Sequence, residues 1–420
     1  MLRLGRRRLA GVCLYATAML PIFGCGGGGA SGGSTDFAGT VYYQIGSGDL
    51  DGDALTDLAV IAVVHDGDSS TADPVELEVL LQEAARPGHF AVKQRLLLAT
   101  HLGAVAVADL DGDDRRDIAV TEPGSNNVRI FLQDPVTAGQ FVQKETRAAA
   151  NLLSSIEVAD IDLDGLPDLV LSVGSGVLAL RQDSAAPGTF PFRTTIDDNR
   201  DSSTSLSASY DSLAVGDLNA DDLVDVATVR ADSDARVYFH AVAVPGTFQA
   251  TRLGMSLRAP MTITVGDINR DGAADVAAAG TDGALGAPIA RMRLQDRSRP
   301  GTFLADLQFL LIDRGAPRSV VIADVTDDDL PDLLVAKSYS IDAGSVEVWA
   351  QTGPTLDFRR VGVFTALSMP RVAPNLRGFA VADFNDDGFP DIVVTDGELA
   401  CLFNDARSPG QFQPAVRLLR

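Results

Sequence analysis

From about residue 40 to the C-terminus, short apolar runs alternate with polar, turn-rich segments. After Leu102 the run GAVAVADL alternates small and branched apolar residues, the period-two signature of a strand. The polar loop DLDGDDRRD follows. DIAVTEP then predicts a second strand, PGSNN a turn, and NVRIFLQD a third strand. PVTAGQF turns the chain again, and FVQKETRA is a fourth, more polar strand suited to an outer edge. The same four-strand order recurs seven times, with a looser fit in units four and five. Helical patterns are few.

The loop between the first two strands is the strictest part of the repeat. Its copies begin at Asp49, Asp109, Asp160, Asp217, Asp267, Asp324 and Asp383, with spacings of 60, 51, 57, 50, 57 and 59 residues. Each fits D-x-[DNT]-x-D-x-x-x-D. A period of this size marks repeated supersecondary units. A merely solvated acidic loop would accept Glu, Ser or Lys at these places. Aspartate held at positions 1, 5 and 9 in every copy points to ligand geometry. The turn between the third and fourth strands repeats as well: ARPGHF, TAGQF, AAPGTF, VPGTF, SRPGTF and SPGQF, with TLDF the weak copy. Glycine there permits positive φ, and Phe90, Phe141, Phe190, Phe248, Phe303 and Phe412 are expected to anchor between neighbouring units.

Four antiparallel strands in each of seven units predict an all-β fold, a seven-bladed β-propeller in which radial repetition protects the sheet edges. Spread over residues 40–420, the units average about 54 residues, an ordinary blade size. A β-solenoid would want shorter coils, of about 20–30 residues. Each blade is expected to come from one continuous segment, with no strand exchanged between the termini.

Charge sharpens the reading. The net charge is −23. Motif positions 1, 3, 5 and 9 supply 28 − 4 = 24 aspartates, the four exceptions being Asn219, Asn269, Thr326 and Asn385. No basic patch exists to neutralise phosphates, which argues against nucleic acid as a partner.

Residues 1–24 read as a signal peptide, with Arg3, Arg6, Arg7 and Arg8 ahead of an apolar stretch too short to span a membrane comfortably. Ile22-Phe23-Gly24-Cys25 resembles a bacterial lipobox, although Phe23 stands where a small residue is usual. Cys25 is the expected lipidation site, and the Gly/Ser-rich residues 25–39 form a tether. These features place the protein in the cell envelope, as an outer-membrane or cell-surface lipoprotein, with a secreted or periplasmic protein as the alternative. Of three cysteines only Cys401 stays in the folded part, so no disulfide framework is expected.

The combination VADLDGDDRRDIAV…VRIFLQD…GQF resembles the FG-GAP or VCBS repeat, which builds the seven-bladed propeller of integrin α-subunits and of many bacterial surface proteins. The resemblance covers about 380 residues, everything past the tether. It implies a calcium ion in the hairpin between the first two strands of each blade, held by positions 1, 3, 5 and 9 and the carbonyl of position 7. Carried over, the ligand sets are Asp49, Asp51, Asp53 and Asp57; Asp109, Asp111, Asp113 and Asp117; Asp160, Asp162, Asp164 and Asp168; Asp217, Asn219, Asp221 and Asp225; Asp267, Asn269, Asp271 and Asp275; Asp324, Thr326, Asp328 and Asp332; and Asp383, Asn385, Asp387 and Asp391. Up to seven Ca2+ ions would follow. Thr326 is a neutral, weaker ligand. Ala54, at a position better suited to Gly, Asn or Asp in a left-handed turn, leads to the expectation of a distorted first loop. An EF-hand is excluded, since position 12 is never acidic (Val60, Val120, Leu171, Thr228, Ala278, Val335, Val394). Magnesium, stricter in geometry, is the second choice. Zinc would want Cys or His.

In a four-strand meander the acidic loops and the glycine turns share one end of the propeller. The opposite end carries the irregular segments 65–74, 195–211, 280–288, 337–345 and 366–378, where binding on a rigid scaffold is expected. In the integrin relatives that end is also the ligand face. Tyr210, Tyr339, Met369 and Arg371 are the candidates there. Past the Gly/Ser tether no G-x-S-x-G, H-E-x-x-H or nucleotide loop occurs, and His65, His89 and His240 lie in no nucleophile motif. The expected function is a lipid-anchored, calcium-stabilised, monomeric binding module for a protein or glycan, in adhesion, scaffolding or envelope interaction. The alternative is a calcium-dependent propeller enzyme, a polysaccharide lyase or hydrolase.

Overall fold

The computed structural model describes residues 38–419 apart from 67–72, 99–102, 151–152, 175, 198–209, 231–234, 256, 283–285, 305–306, 311–314, 339–343, 354–355, 366–377 and 396. Among these, every regular element is a strand. Blade 1 is built from β1 (Ala38–Gly48), β2 (Asp57–Asp66), β3 (Val75–Gln82) and β4 (Phe90–Leu97), paired in that order. Six more four-stranded antiparallel sheets follow in chain order, at 105–148, 155–197, 210–252, 257–310, 316–365 and 378–417. Each blade is one continuous segment, and no strand is exchanged between the termini.

Burial explains why each strand has its composition. The second strand of blade 2 (Asp117–Glu122) is buried throughout, because neighbouring blades cover both its faces. The fourth (Phe141–Ala148) begins with a buried Phe and is otherwise largely exposed, as the outer edge must be. Seven apolar clusters fill the seven interfaces between neighbouring blades. The turn phenylalanines take the expected places. Phe141 joins Leu50 of blade 1, Phe190 joins Leu110 of blade 2, and Phe412 joins Val325 of blade 6. Phe248 and Phe303 pack on the clusters shared with the preceding blade, and Phe358, from the weak copy, does the same.

The ring closes between the last blade and the first. Phe90 of blade 1 meets Phe384 of blade 7 edge-on, with ring centroids 6.4 Å apart. At the same seam, Thr395 Oγ1 accepts from Gly378 N at 2.6 Å and donates to the Tyr43 carbonyl at 2.7 Å. One hydroxyl thus binds backbone groups from both ends of the chain.

Candidate metal centres

In each blade the acidic loop joins the first strand to the second. The side chain at position 2 (Leu50, Leu110, Ile161, Leu218, Ile268, Val325 or Phe384) is buried in an interface cluster. That residue pins the loop, and its backbone N–H donates to Oδ2 of the position-9 aspartate at 2.8–3.0 Å. The other oxygen, Oδ1, accepts from the backbone at the end of the third strand at 2.7–3.0 Å. Asp57, Asp117, Asp168, Asp225, Asp275, Asp332 and Asp391 are therefore buried hubs tying loop to sheet.

The rest of the loop coils around position 1. Its carboxylate accepts from the N–H groups of positions 5 and 6, as Asp49 does from Asp53 at 3.1 Å and Ala54 at 2.9 Å. This coil demands left-handed backbone at positions 4 and 6 in all seven loops. In the first these are Gly52 (φ 83°) and Ala54 (φ 69°), and in the third Leu163 (φ 63°) and Gly165 (φ 86°). The expected distortion at Ala54 is not seen. Ala54 adopts the same left-handed conformation, and its loop brings Asp49, Asp51, Asp53 and Asp57 together, with ligand oxygens within 4.8 Å of one another.

Two further loops gather carboxylates in the same way: Asp109, Asp111 and Asp117 in blade 2, and Asp160, Asp162 and Asp168 in blade 3. Asp113 lies outside its group and is ion-paired with Arg115, two residues on. Asp164 also lies outside, its Oδ1 accepting from Leu166 N at 2.9 Å. In blades 4, 5 and 7 the position-3 amides of Asn219, Asn269 and Asn385 accept from the N–H of position 5 at 3.0–3.1 Å. In blade 6 Thr326 turns its hydroxyl onto Asp332 at 3.1 Å.

The electrostatics of the loops ask for a cation. Burial raises Asp57, Asp117, Asp168, Asp225, Asp275 and Asp391 to about 7, against the two backbone N–H bonds each accepts, and neighbouring aspartates add to the rise. Asp332 reaches only about 6, with the Thr326 hydroxyl helping to lower it. Asp51 and Asp111 are raised by burial and then by the adjacent Asp53 and Asp113. Asp111 Oδ1 and Asp162 Oδ1 are buried without a hydrogen-bond partner. Oxygen-only donors, converging and partly unsatisfied, fit a hard cation such as calcium in blades 1–3.

A further residue class escaped the sequence reading. The third strand ends in Gln82, Gln133, Gln182, His240, Gln295, Gln351 or Asn404, whose side chains bind the acidic loop, the glycine turn or both. Gln182 Nε2 donates to the Pro167 carbonyl at 2.9 Å while its Oε1 accepts from Gly188 N at 2.9 Å. Five glutamines at one place in the repeat were a visible signal.

Cys25 lies outside the described residues, as do Tyr339, Met369, Arg371 and the side chain of Tyr210.

An FG-GAP-like repeat model matches the chain at residues 109–171, 217–278 and 324–394. No curated protein matches it. Among solved structures, an Agrocybe aegerita lectin specific for non-reducing terminal N-acetylglucosamine is similar at 16% identity and a TM-score of 0.51, covering 92% of this chain and 91% of the lectin. The WD40 domain of Toxoplasma gondii coronin is similar at 12% identity and a TM-score of 0.50, covering 90% and 88%. These likenesses show the fold. The three matched segments together take in the acidic loops of blades 2–7 and strands beside them, and the chain carries FG-GAP-like repeats within a seven-bladed β-propeller.

Proposed function

We propose that the protein is a calcium-stabilised binding module, lipid-anchored in the cell envelope through Cys25, that takes a glycan or protein ligand. Asp111 Oδ1 and Asp162 Oδ1 carry the calcium part of this reading, as buried carboxylate oxygens without partners inside carboxylate clusters. Calcium would give each of these oxygens a positively charged partner. The loops' buried position-2 residues would pass that stabilisation to the interfaces between blades. The binding part is supported by the closed ring of blades, by the absence of a catalytic motif past the tether, and by likeness to a propeller lectin. The anchor rests on the lipobox-like run before Cys25.

Two measurements test this reading. Calcium titrated calorimetrically into metal-stripped protein should show at least about three tight sites, matching the clusters of blades 1–3. The immobilised calcium-loaded protein should then retain an intact glycan or a protein from envelope extract, and lose it in chelator. Shortened glycan products with nothing retained would move the protein to the enzyme class.

A further inference from the structure

Blade 2 departs from the other six at positions 7 and 8 of its acidic loop. Elsewhere both residues are neutral, as in Leu55-Thr56 of blade 1 and Leu166-Pro167 of blade 3. Blade 2 has Arg115-Arg116. The two arginines line a cavity of about 370 Å3 between the loops of blades 1 and 2. Asp49 and Asp51 of blade 1 share its lining, and so do Pro135 and Val136 from the blade 2 turn. Arg115 is partly buried and holds Asp113 through Nη2, which leaves its Nε buried without a partner. Arg116 is exposed and makes no ion pair among the described residues. Asp49 forms no ion pair with either arginine, its oxygens being bound to the N–H groups of its own loop. Val136 is 90% exposed beside Pro135, an apolar rim held out into solvent.

These features describe one kind of ligand. The volume suits one or two sugar rings. The Arg116 guanidinium, with that of Arg115 in the same lining, matches a carboxylate. The exposed carboxylate of Asp114, also in the lining, can accept bonds from sugar hydroxyls, and the Pro135–Val136 rim can cover the C–H face of a ring. We propose that this cavity binds a carboxylate-bearing sugar residue, a uronate, within a glycan. The inference rests on the binding-module reading above and names its ligand class. It also places a ligand on the acidic-loop end of the ring, not on the opposite end where the irregular segments lie.

The test compares a short galacturonate oligosaccharide with its carboxyl-reduced, neutral counterpart, each titrated calorimetrically into the calcium-loaded full chain. The acidic sugar should bind at least about tenfold more tightly. R116T, which installs the blade 1 residue at an exposed site, should weaken that binding about tenfold with calcium stoichiometry unchanged, and R115L/R116T should abolish it. Should the double variant fail to fold, R116T alone decides. Equal binding of acidic and neutral sugars, or wild-type binding by R116T, would overturn the proposal. So would arginine-dependent capture of an acidic peptide in place of the sugar. Retention of another glycan or protein independent of Arg116 would overturn it while leaving the binding module intact. Retention of nothing at all would end both readings.

Discussion

Gln133 Nε2 donates to the carbonyl oxygen of Leu50 at 2.7 Å, crossing from blade 2 into the acidic loop of blade 1. Asn404 repeats the bond between blades 7 and 6, donating to Val325 O at 2.8 Å. Both bonds are buried, and both fasten the position-2 residue whose side chain already sits in the interface. A loop held this way belongs mechanically to two blades. Q133A should therefore strip partners from two carbonyls, Leu50 and Arg116, at a cost of about 1–3 kcal/mol. The measurement is the urea midpoint in calcium, and an unchanged midpoint would show that the clamp contributes nothing.

The position-9 aspartates predict an unusual pH response in metal-free protein. Their carboxyls ionise near 3.8 when unperturbed, and burial raises six of them to about 7. A raised folded-state value means the fold prefers the protonated form. The associated stability is full below about 3.8 and is lost as pH rises through about 7. Metal-stripped protein should melt at progressively lower temperature between about pH 5 and pH 7.5. Bound calcium favours the ionised form, so the loaded protein should lose that decline. Parallel thermal melts across the window decide it, and identical pH profiles with and without calcium would refute the coupling.

Much of this was legible because repetition amplifies weak signals. One D-x-D-x-D loop says little, whereas seven in register predicted the hairpin, the blade and the ring. Phe141 and Phe190 were legible for the same reason. What escaped has no periodic marker or depends on non-local partners. The left-handed residue at position 4 is Gly in two loops but Leu163, Ala220, Arg270, Asp327 and Asp386 in the others, so no residue type announces it. It follows from how the loop coils around position 1. Asp113 looked equivalent to Asp53, yet Arg115 engages it, because the neighbour two residues on differs. The expected distortion at Ala54 gave undue weight to intrinsic preference. The cost of one left-handed alanine, of order 1 kcal/mol, is small beside the hydrogen bonds that hold the coil.

Glu157 is a departure no repeat would advertise. It lies on the inner strand of blade 3 (Ser155–Ala159), only 8% exposed, at the place held by Gly46, Ala106, Ala214, Thr264, Val321 and Ala380 in the other blades. Its Oε1 has no partner, and neither does the Oγ of Ser155 on the same strand face. Burial alone raises its carboxyl well above the ordinary range. E157L should stabilise the protein by about 1–3 kcal/mol by removing an unsatisfied buried group. The sign of its pH dependence follows from the raised value: wild type pays more as pH rises, so the gain should be larger at pH 8 than at pH 5. A loss of stability at both pH values would mean that Glu157 serves the fold.

Lys337 and Glu347 form an ion pair with both side chains wholly buried, inside the sheet of blade 6. Trp349 Nε1 also donates to Glu347 Oε2 at 3.1 Å, and Arg360 Nη1 lies 3.8 Å from Oε1. Desolvating two charges offsets much of their attraction, so such a pair adds little net stability, while breaking it strands the survivor. K337M should cost about 3–5 kcal/mol, because Glu347 keeps only Trp349 and a distant Arg360. K337M/E347L should recover most of that loss. Urea denaturation of the two variants separates the possibilities. A double variant as unstable as K337M would show that the pair itself, and not the stranded charge, holds blade 6 together.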